Sequence, residues 1–231
     1  MSFFNSPETL ATCRDYEKKF PMVPEKGWTR YKQYSTPDIL RKSIKTFWGF
    51  GVSKEIRFEE GIRRDNESAK IYTWDPSPIS IATINKSNGT GANVTHTMRA
   101  YDPSERPMQF YTTDKKKRCW SLENHDPENL VDTIIVETEN LKSITKRLGK
   151  QVEMIKFDIE GRWYEICQEI IELDLPVSMI HGEFEMYFEP IAMARDKLDQ
   201  VVKQMKNKGL AVLVNRILQG PNIELCFYKN E

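Results

Sequence analysis

Short apolar runs that end on glycine or an acid alternate with runs of helical period along most of this 231-residue chain. That alternation leaves few folds open. "IKTFWGFGV" (44–52) is apolar and aromatic and ends in glycines; "KEIRFEEGIRRD" (54–65) then places Ile56, Glu59, Glu60, Ile62 and Arg63 at helical spacing. "AKIYTWD" (69–75) reads as a strand ending on an acid, with a helix expected after "DPSP". "VEMIKFDIEG" precedes a stretch in which Trp163, Ile166, Cys167, Ile170 and Ile171 recur at i, i+3, i+4, i+7 and i+8, which is one face of a helix. Strands alternating with helices specify an α/β sheet with parallel strands.

The remaining runs fill in this plan. "THTMRAYD" (95–102) and "PMQFYTT" (107–113) are β-rich and are expected to pair as a hairpin. "DTIIVETENL" (132–141) reads as a strand leading into the helix "LKSITKRLG", and "PVSMIHGEFEMYF" as a further strand. "IAMARDKLDQVVKQMKNKG" (191–209) is a helix stopped by Gly209. "LAVLVNRIL", the turn "QGPN" and "IELCFYK" form a terminal hairpin that adds one antiparallel strand. Residues 1–43 are polar, spotted with aromatics and irregular, with one helix start at Thr36 and Pro37. They are read as an extension packed on a domain spanning 44–231. No internal repeat is seen.

Composition narrows the function. Lysine plus arginine and aspartate plus glutamate are both 34, so no basic surface favours nucleic acid. No apolar run approaches a membrane span, and the first residues lack the basic and apolar regions of a signal peptide. A cytoplasmic protein is expected, with a small-molecule or carbohydrate partner and neither nucleic acid nor membrane; a homodimer is allowed. Cys13, Cys119, Cys167 and Cys226 fit no zinc spacing and are read as reduced thiols. Glycosylation-type triplets at Asn85, Asn88 and Asn93 are chance matches in a polar loop. The basic run 114–119 is a solvated loop or an attractor of anions.

In a doubly wound sheet, ligands bind at the carboxyl ends of the strands, where strand order reverses. Gly49 and Gly51 stand at one such end; a bare G-x-G allows a tight turn or a close ligand approach. Lys54 stands where a dinucleotide fingerprint needs its last glycine, which disfavours a nicotinamide dehydrogenase. Asp75 ends the next strand, where a carboxylate can accept from two ribose hydroxyls or cap an Asp-Pro turn. Asp158 and Glu160 share a face if the strand continues through them. They could cap the following helix, hold a cationic amine or sulfonium, bind a metal, or orient a hydroxyl. His181 is a candidate general base or a structural histidine, and Glu183 could line the same cleft.

These segments together resemble FkbM-type methyltransferases, over residues 44–229. "IKFDIEGRWYE" is similar to the family's strand, D-[IV]-E-G and helix. "TFWGFGVSKEIRFEEGI" resembles the glycine-rich segment of a divergent branch, "KIYTWDPSP" the second strand, "RCWSLEN" a serine-leucine segment, "ETENLKSITKRLG" the run before the acids, and "GEFEM" a strand ending on glutamate. The resemblance implies a class I, Rossmann-like, mostly parallel seven-stranded sheet closed by an antiparallel hairpin strand. It also implies S-adenosylmethionine as cofactor and O-methylation of a sugar, glycan or other small metabolite. Carried over, Gly49, Phe50 and Gly51 would contact the cofactor's amino-acid part, and Glu55, also a cofactor-binding candidate, matches the acid of the glycine-rich segment. Asp75 would hold the ribose, Pro76 and Ser121 are further cofactor-binding candidates, and Asp158 and Glu160 would lie beside the methionine portion and the incoming substrate. Glu160, His181, Asp158 and Glu183 are the catalytic candidates; no metal is expected. Trp48 stands where the common family carries an acid, which motivates a second reading, a degenerate methyltransferase fold serving as a binding or scaffold module.

Overall fold

The computed structural model describes residues 6–116, 120–122, 127–218 and 220–230. The described residues open with a helix, α1 (Pro7–Lys19), where the sequence reading expected irregular structure. Ser6 caps it, its hydroxyl accepting from the Thr9 N–H at 3.1 Å, and Pro7 opens the first turn, both standard helix-start chemistry. A hairpin follows, β1 (Trp28–Tyr31) and β2 (Tyr34–Pro37), turning at Lys32 and Gln33. The helix expected from Thr36 is only the short α2 (Asp38–Arg41). Thr36 lies in β2 and caps nothing, because the strand pairing claims its backbone.

Seven strands build the main sheet: β3 (Thr46–Phe50), β4 (Lys70–Trp74), β5 (Val94–Thr97), β10 (Met154–Phe157), β11 (Met179–Glu185), β12 (Leu210–Arg216) and β13 (Asn222–Lys229). Their spatial order is β12-β13-β11-β10-β3-β4-β5. β13 alone runs antiparallel to its neighbours; the other pairings are parallel. This is a doubly wound, Rossmann-like sheet with a C-terminal antiparallel hairpin, as expected. Helices α3 (Arg57–Asp65) and α4 (Pro78–Asn88) make the first two crossovers, and α5 (Leu141–Leu148), α6 (Trp163–Glu172) and α7 (Ile191–Asn207) the rest. The central strands are buried on both faces, so they read as continuous apolar runs rather than alternating ones.

The expected pairing of 95–102 with 107–113 is not made. β5 returns after the α4 crossover and joins the sheet parallel to β4. Residues 107–113 form β7 (Met108–Thr112), which pairs antiparallel with β8 (Asp132–Val136). With β6 (Ala100–Tyr101) and β9 (Thr138–Glu139), which pair in parallel, they make a cap outside the sheet. Apolar cross-strand partners, Met108 with Val136 and Phe110 with Ile134, set that register.

Two apolar layers flank the sheet. One joins α5, α6 and α7 with Trp48, Ile155 and Phe184; the other joins α3 with Phe47, Met154 and Met179. The N-terminal segment packs on both: Cys13, Tyr16 and Phe20 enter the first layer, and Tyr31 and Tyr34 the second. Cys13, Cys167 and Cys226 are free and buried; Cys119 lies outside the described residues. Among the described residues no helix is long and apolar enough to cross a membrane.

Candidate functional site

Strand order reverses between β3 and β10, and a cleft of 260 Å³ opens at their carboxyl ends. Its floor is the turn after β3. Gly51 has φ 78°, and a Cβ there would stand 1.8 Å from the Asp158 carbonyl oxygen, so only glycine lets the two strand ends approach. Charged side chains hold this turn from two sides. The Asp75 Oδ2 accepts from the N–H groups of Val52 and Ser53, both at 2.7 Å. On the other side the Lys156 Nζ donates to the Gly51 carbonyl at 2.7 Å. Asp75 Oδ1 accepts from the Ser77 N–H at 2.7 Å and from its hydroxyl. Asp75 thus makes an Asx-type turn as well as clamping the glycine turn.

β10 ends at Phe157, so Asp158 and Glu160 do not share a strand face. A tight turn brings both to the cleft instead. Glu160 is left-handed at φ 53°, followed by Gly161 at φ 95°. The buried Glu185 carboxylate secures this turn, accepting from Glu160 N–H at 3.0 Å and Gly161 N–H at 3.3 Å. Among the described residues no side chain caps α6, so the helix-capping role open to these acids is not realised. Among the described residues, no group of three or more His, Cys, Asp or Glu is arranged to hold a metal.

The acids crowd one another. Burial, and then the Asp158 charge, pushes the Glu160 carboxyl up to about 8. The Tyr187 hydroxyl donates to Glu160 Oε2 at 3.3 Å, and the Ser121 side chain also bonds to it. Burial likewise raises Asp158 and Glu185, because taking a carboxylate out of water disfavours its charged form.

Of the residues singled out in the sequence, Phe50, Gly51, Glu55, Asp75, Pro76, Asp158 and Glu160 line the cleft. Gly49, Ser121, His181 and Glu183 do not. Gly49 faces the α3 layer, where a Cβ would meet the Phe47 ring at 2.9 Å. Ser121 pairs through its backbone with Tyr111. Glu183, half-buried, accepts from Asn222; desolvation and then the Asp158 charge push its carboxyl up to about 8. His181 is fully buried against the Tyr34 and Phe58 rings. Burial and the Lys156 charge hold its pKa down at about 3, so it stays neutral, and it does not line the cleft. Glu55 is ion-paired to Arg57 and Lys32, which hold its carboxyl at about 2.

Sequence reasoning missed Lys156, Glu185 and, Phe50 apart, an aromatic wall. Phe50 stacks on Trp74 at 4.7 Å, and the cap adds Tyr101, Phe110 and Trp120 to the lining. Lys156 did leave a signal: it is the one charge in the otherwise apolar strand "MIKF", whose every residue is buried. The wall left none, since the cap residues lie in a segment whose pairing was read differently.

Neither a protein-family model nor a curated protein matches the chain. Among solved structures, an O-methyltransferase from Bacillus cereus in complex with SAH has 9% identity and a TM-score of 0.48, over 97% of this chain and 92% of that one. The O-methyltransferase TomG from Streptomyces achromogenes, in complex with SAM, has 8% identity and a TM-score of 0.48, over 98% and 92%. A Methanococcus jannaschii fibrillarin pre-rRNA processing protein has 6% identity and a TM-score of 0.47, over 82% and 68%. All fall below 0.5, and the fold assignment rests on strand order and register.

Proposed function

We propose that the chain is an S-adenosylmethionine-dependent methyltransferase of a divergent FkbM-type branch, methylating a hydroxyl on a sugar, glycan or other small metabolite. The observation that carries this reading is the convergence of Gly51, Asp75, Asp158 and Glu160 on one cleft at the sheet's switch point, where such folds bind ligands. The residues present fit the cofactor. The turn at Gly51 has a flank no side chain could occupy. The stacked Phe50 and Trp74 offer a flat apolar wall for a purine, and the acids complement a sulfonium.

When bound, the cofactor would supply an electrophilic methyl group. The protein's part is placement and proton handling. Asp75 would hold the ribose hydroxyls, the Ser77 hydroxyl giving way on Oδ1. Asp158 would lie beside the positive charge. Glu160 would accept the acceptor hydroxyl's proton; with its carboxyl near 8, it gains that capacity as pH rises toward that value. Tyr187 and Ser121 orient the carboxylate, and Glu185 fixes the turn that carries it.

One observation favours the scaffold reading: Asp75 already accepts from donors of its own chain on both oxygens. Isothermal titration with S-adenosylmethionine and S-adenosylhomocysteine decides between them. Binding of either supports the enzyme; folded protein that binds neither supports the scaffold.

A further inference from the structure

The cap enters the cleft with Ala100, Tyr101, Phe110 and Trp120. Phe110 and Trp120 are 6% and 7% exposed. Met108, Leu122, Ile134 and Val136 back them in an apolar cluster separate from the two layers of the sheet. Ser121, the residue after Trp120, bonds to the Glu160 carboxyl through its side chain. Through its backbone it pairs with Tyr111, the residue after Phe110. Both rings therefore sit on strands tied to the acid turn, and Ile159 of that turn lines the same space. The other aromatic pair, Phe50 and Trp74, stacks at the strand ends, with Tyr101 edge-on to Phe50 at 6.1 Å. Tyr101 spends its hydroxyl on Glu169 at 3.1 Å, and Ala100 and Phe110 have none. The cap thus adds rings to the lining, and no carboxylate, side-chain amide or uncommitted hydroxyl.

We propose that the space between Glu160 and the rings of Phe110 and Trp120 receives a flat aromatic acceptor, so that the methylated hydroxyl is phenolic. Aromatic rings pair favourably beyond the area they bury. A sugar in the same place would press its other hydroxyls against the rings and leave them without partners, which is costly. Base strength points the same way. The Glu160 carboxyl, near 8, lies about 2 units below an ordinary phenol at about 10. It lies about 8 units below a water-like hydroxyl at about 15.7, from which it would draw a proton far less readily. In the transfer, the phenolic oxygen bonds to the methyl carbon as the carbon–sulfur bond breaks. That bond's electron pair returns to sulfur, and the phenolic proton passes to Glu160. The inference rests on the methyltransferase reading and narrows its acceptor.

The test is titration of the full chain, saturated with S-adenosylhomocysteine, with three probes. These are 2-naphthol, its saturated counterpart trans-2-decalol, and methyl α-glucoside. Wild type should bind 2-naphthol several-fold more tightly than decalol and more than about 10-fold more tightly than the glucoside. Trp120→Leu and Phe110→Leu should each weaken 2-naphthol by about 2–10-fold, the worth of one aromatic pair. Trp120→Phe, which keeps a ring, should lose less. All three variants should hold S-adenosylhomocysteine as wild type does, which also reports that they fold. Glucoside bound as tightly as 2-naphthol, or no binding of 2-naphthol, overturns the proposal. So does decalol bound as tightly as 2-naphthol, or unchanged 2-naphthol affinity in both leucine variants. Equal loss of 2-naphthol and S-adenosylhomocysteine in those variants and in Trp120→Phe would assign the rings to the cofactor and overturn it too. Wild type that binds no S-adenosylhomocysteine overturns the methyltransferase reading itself.

Discussion

Glu160 stands at φ 53°, a left-handed conformation that costs a residue other than glycine roughly 1–2 kcal/mol. A strained carboxyl at the mouth of a cleft is the pattern expected where function opposes stability. Three substitutions separate the roles of the turn. Glu160→Gln should slow turnover by about 10²–10⁴-fold, as for loss of a general base, with cofactor affinity near wild type. Asp158→Asn should chiefly weaken cofactor binding, read by titration. Glu160→Gly should be as inactive as the glutamine variant yet about 1 kcal/mol more stable than it in urea unfolding, because glycine relieves the φ strain. Equal stability of the two would place the strain elsewhere. His181 offers no rival base: it is neutral, fully buried and outside the cleft.

The glycine turn after β3 and the acid turn after β10 are one device built from two element ends. Each is fixed by a carboxylate from a neighbouring strand end: Asp75 after β4 for the first, Glu185 at the end of β11 for the second. Gly51→Ala should therefore disturb both, since its Cβ would lie 1.8 Å from the Asp158 carbonyl oxygen and must also hold φ 78°. A destabilisation above about 2 kcal/mol in urea unfolding is expected, in the class of backbone strain combined with overpacking. Gly49→Ala meets the Phe47 ring and Glu59 rather than the Asp158 backbone, so it should affect stability without moving the acid turn. Loss of cofactor affinity with Gly51→Ala but not Gly49→Ala, where both fold, is the distinguishing result.

Across the whole molecule, the crowded acids give stability a definite pH slope. Glu160 and Glu183 ordinarily titrate near 4.5 but are held up to about 8 in the folded chain. Between those values the folded state binds more protons than the unfolded one, so stability is full below about 4.5 and falls as pH rises toward about 8. Thermal unfolding should show Tm decreasing from about pH 5 to about pH 8, by less in Glu160→Gln and Glu183→Gln. Turnover should move the other way, rising with pH and levelling above about 8, where the Glu160 carboxylate is formed. A cationic cofactor should reduce the loss of Tm at high pH by neutralising the cluster.

The parallel sheet, its crossover helices and the closing hairpin could be read from local pattern, because periodicity and strand-end residues report which faces are buried. The same logic located Gly51, Asp75, Asp158 and Glu160, each just past a strand. Local pattern failed where pairing is a long-range choice. Residues 107–113 pair with 132–136 rather than with 95–102; both partners are β-rich, and only the α4 crossover, which seats β5 in the main sheet, excludes the nearer one. It failed again for α1, a weakly apolar helix that gains its burial from α7 and the sheet. His181 and Lys156 are the sharpest contrast. Each lies in a central strand, yet which of them reaches the cleft depends on what covers that face. The β1–β2 hairpin and α3 cover His181 with aromatic rings, while Lys156 lies beneath the Gly51 turn and reaches its carbonyl.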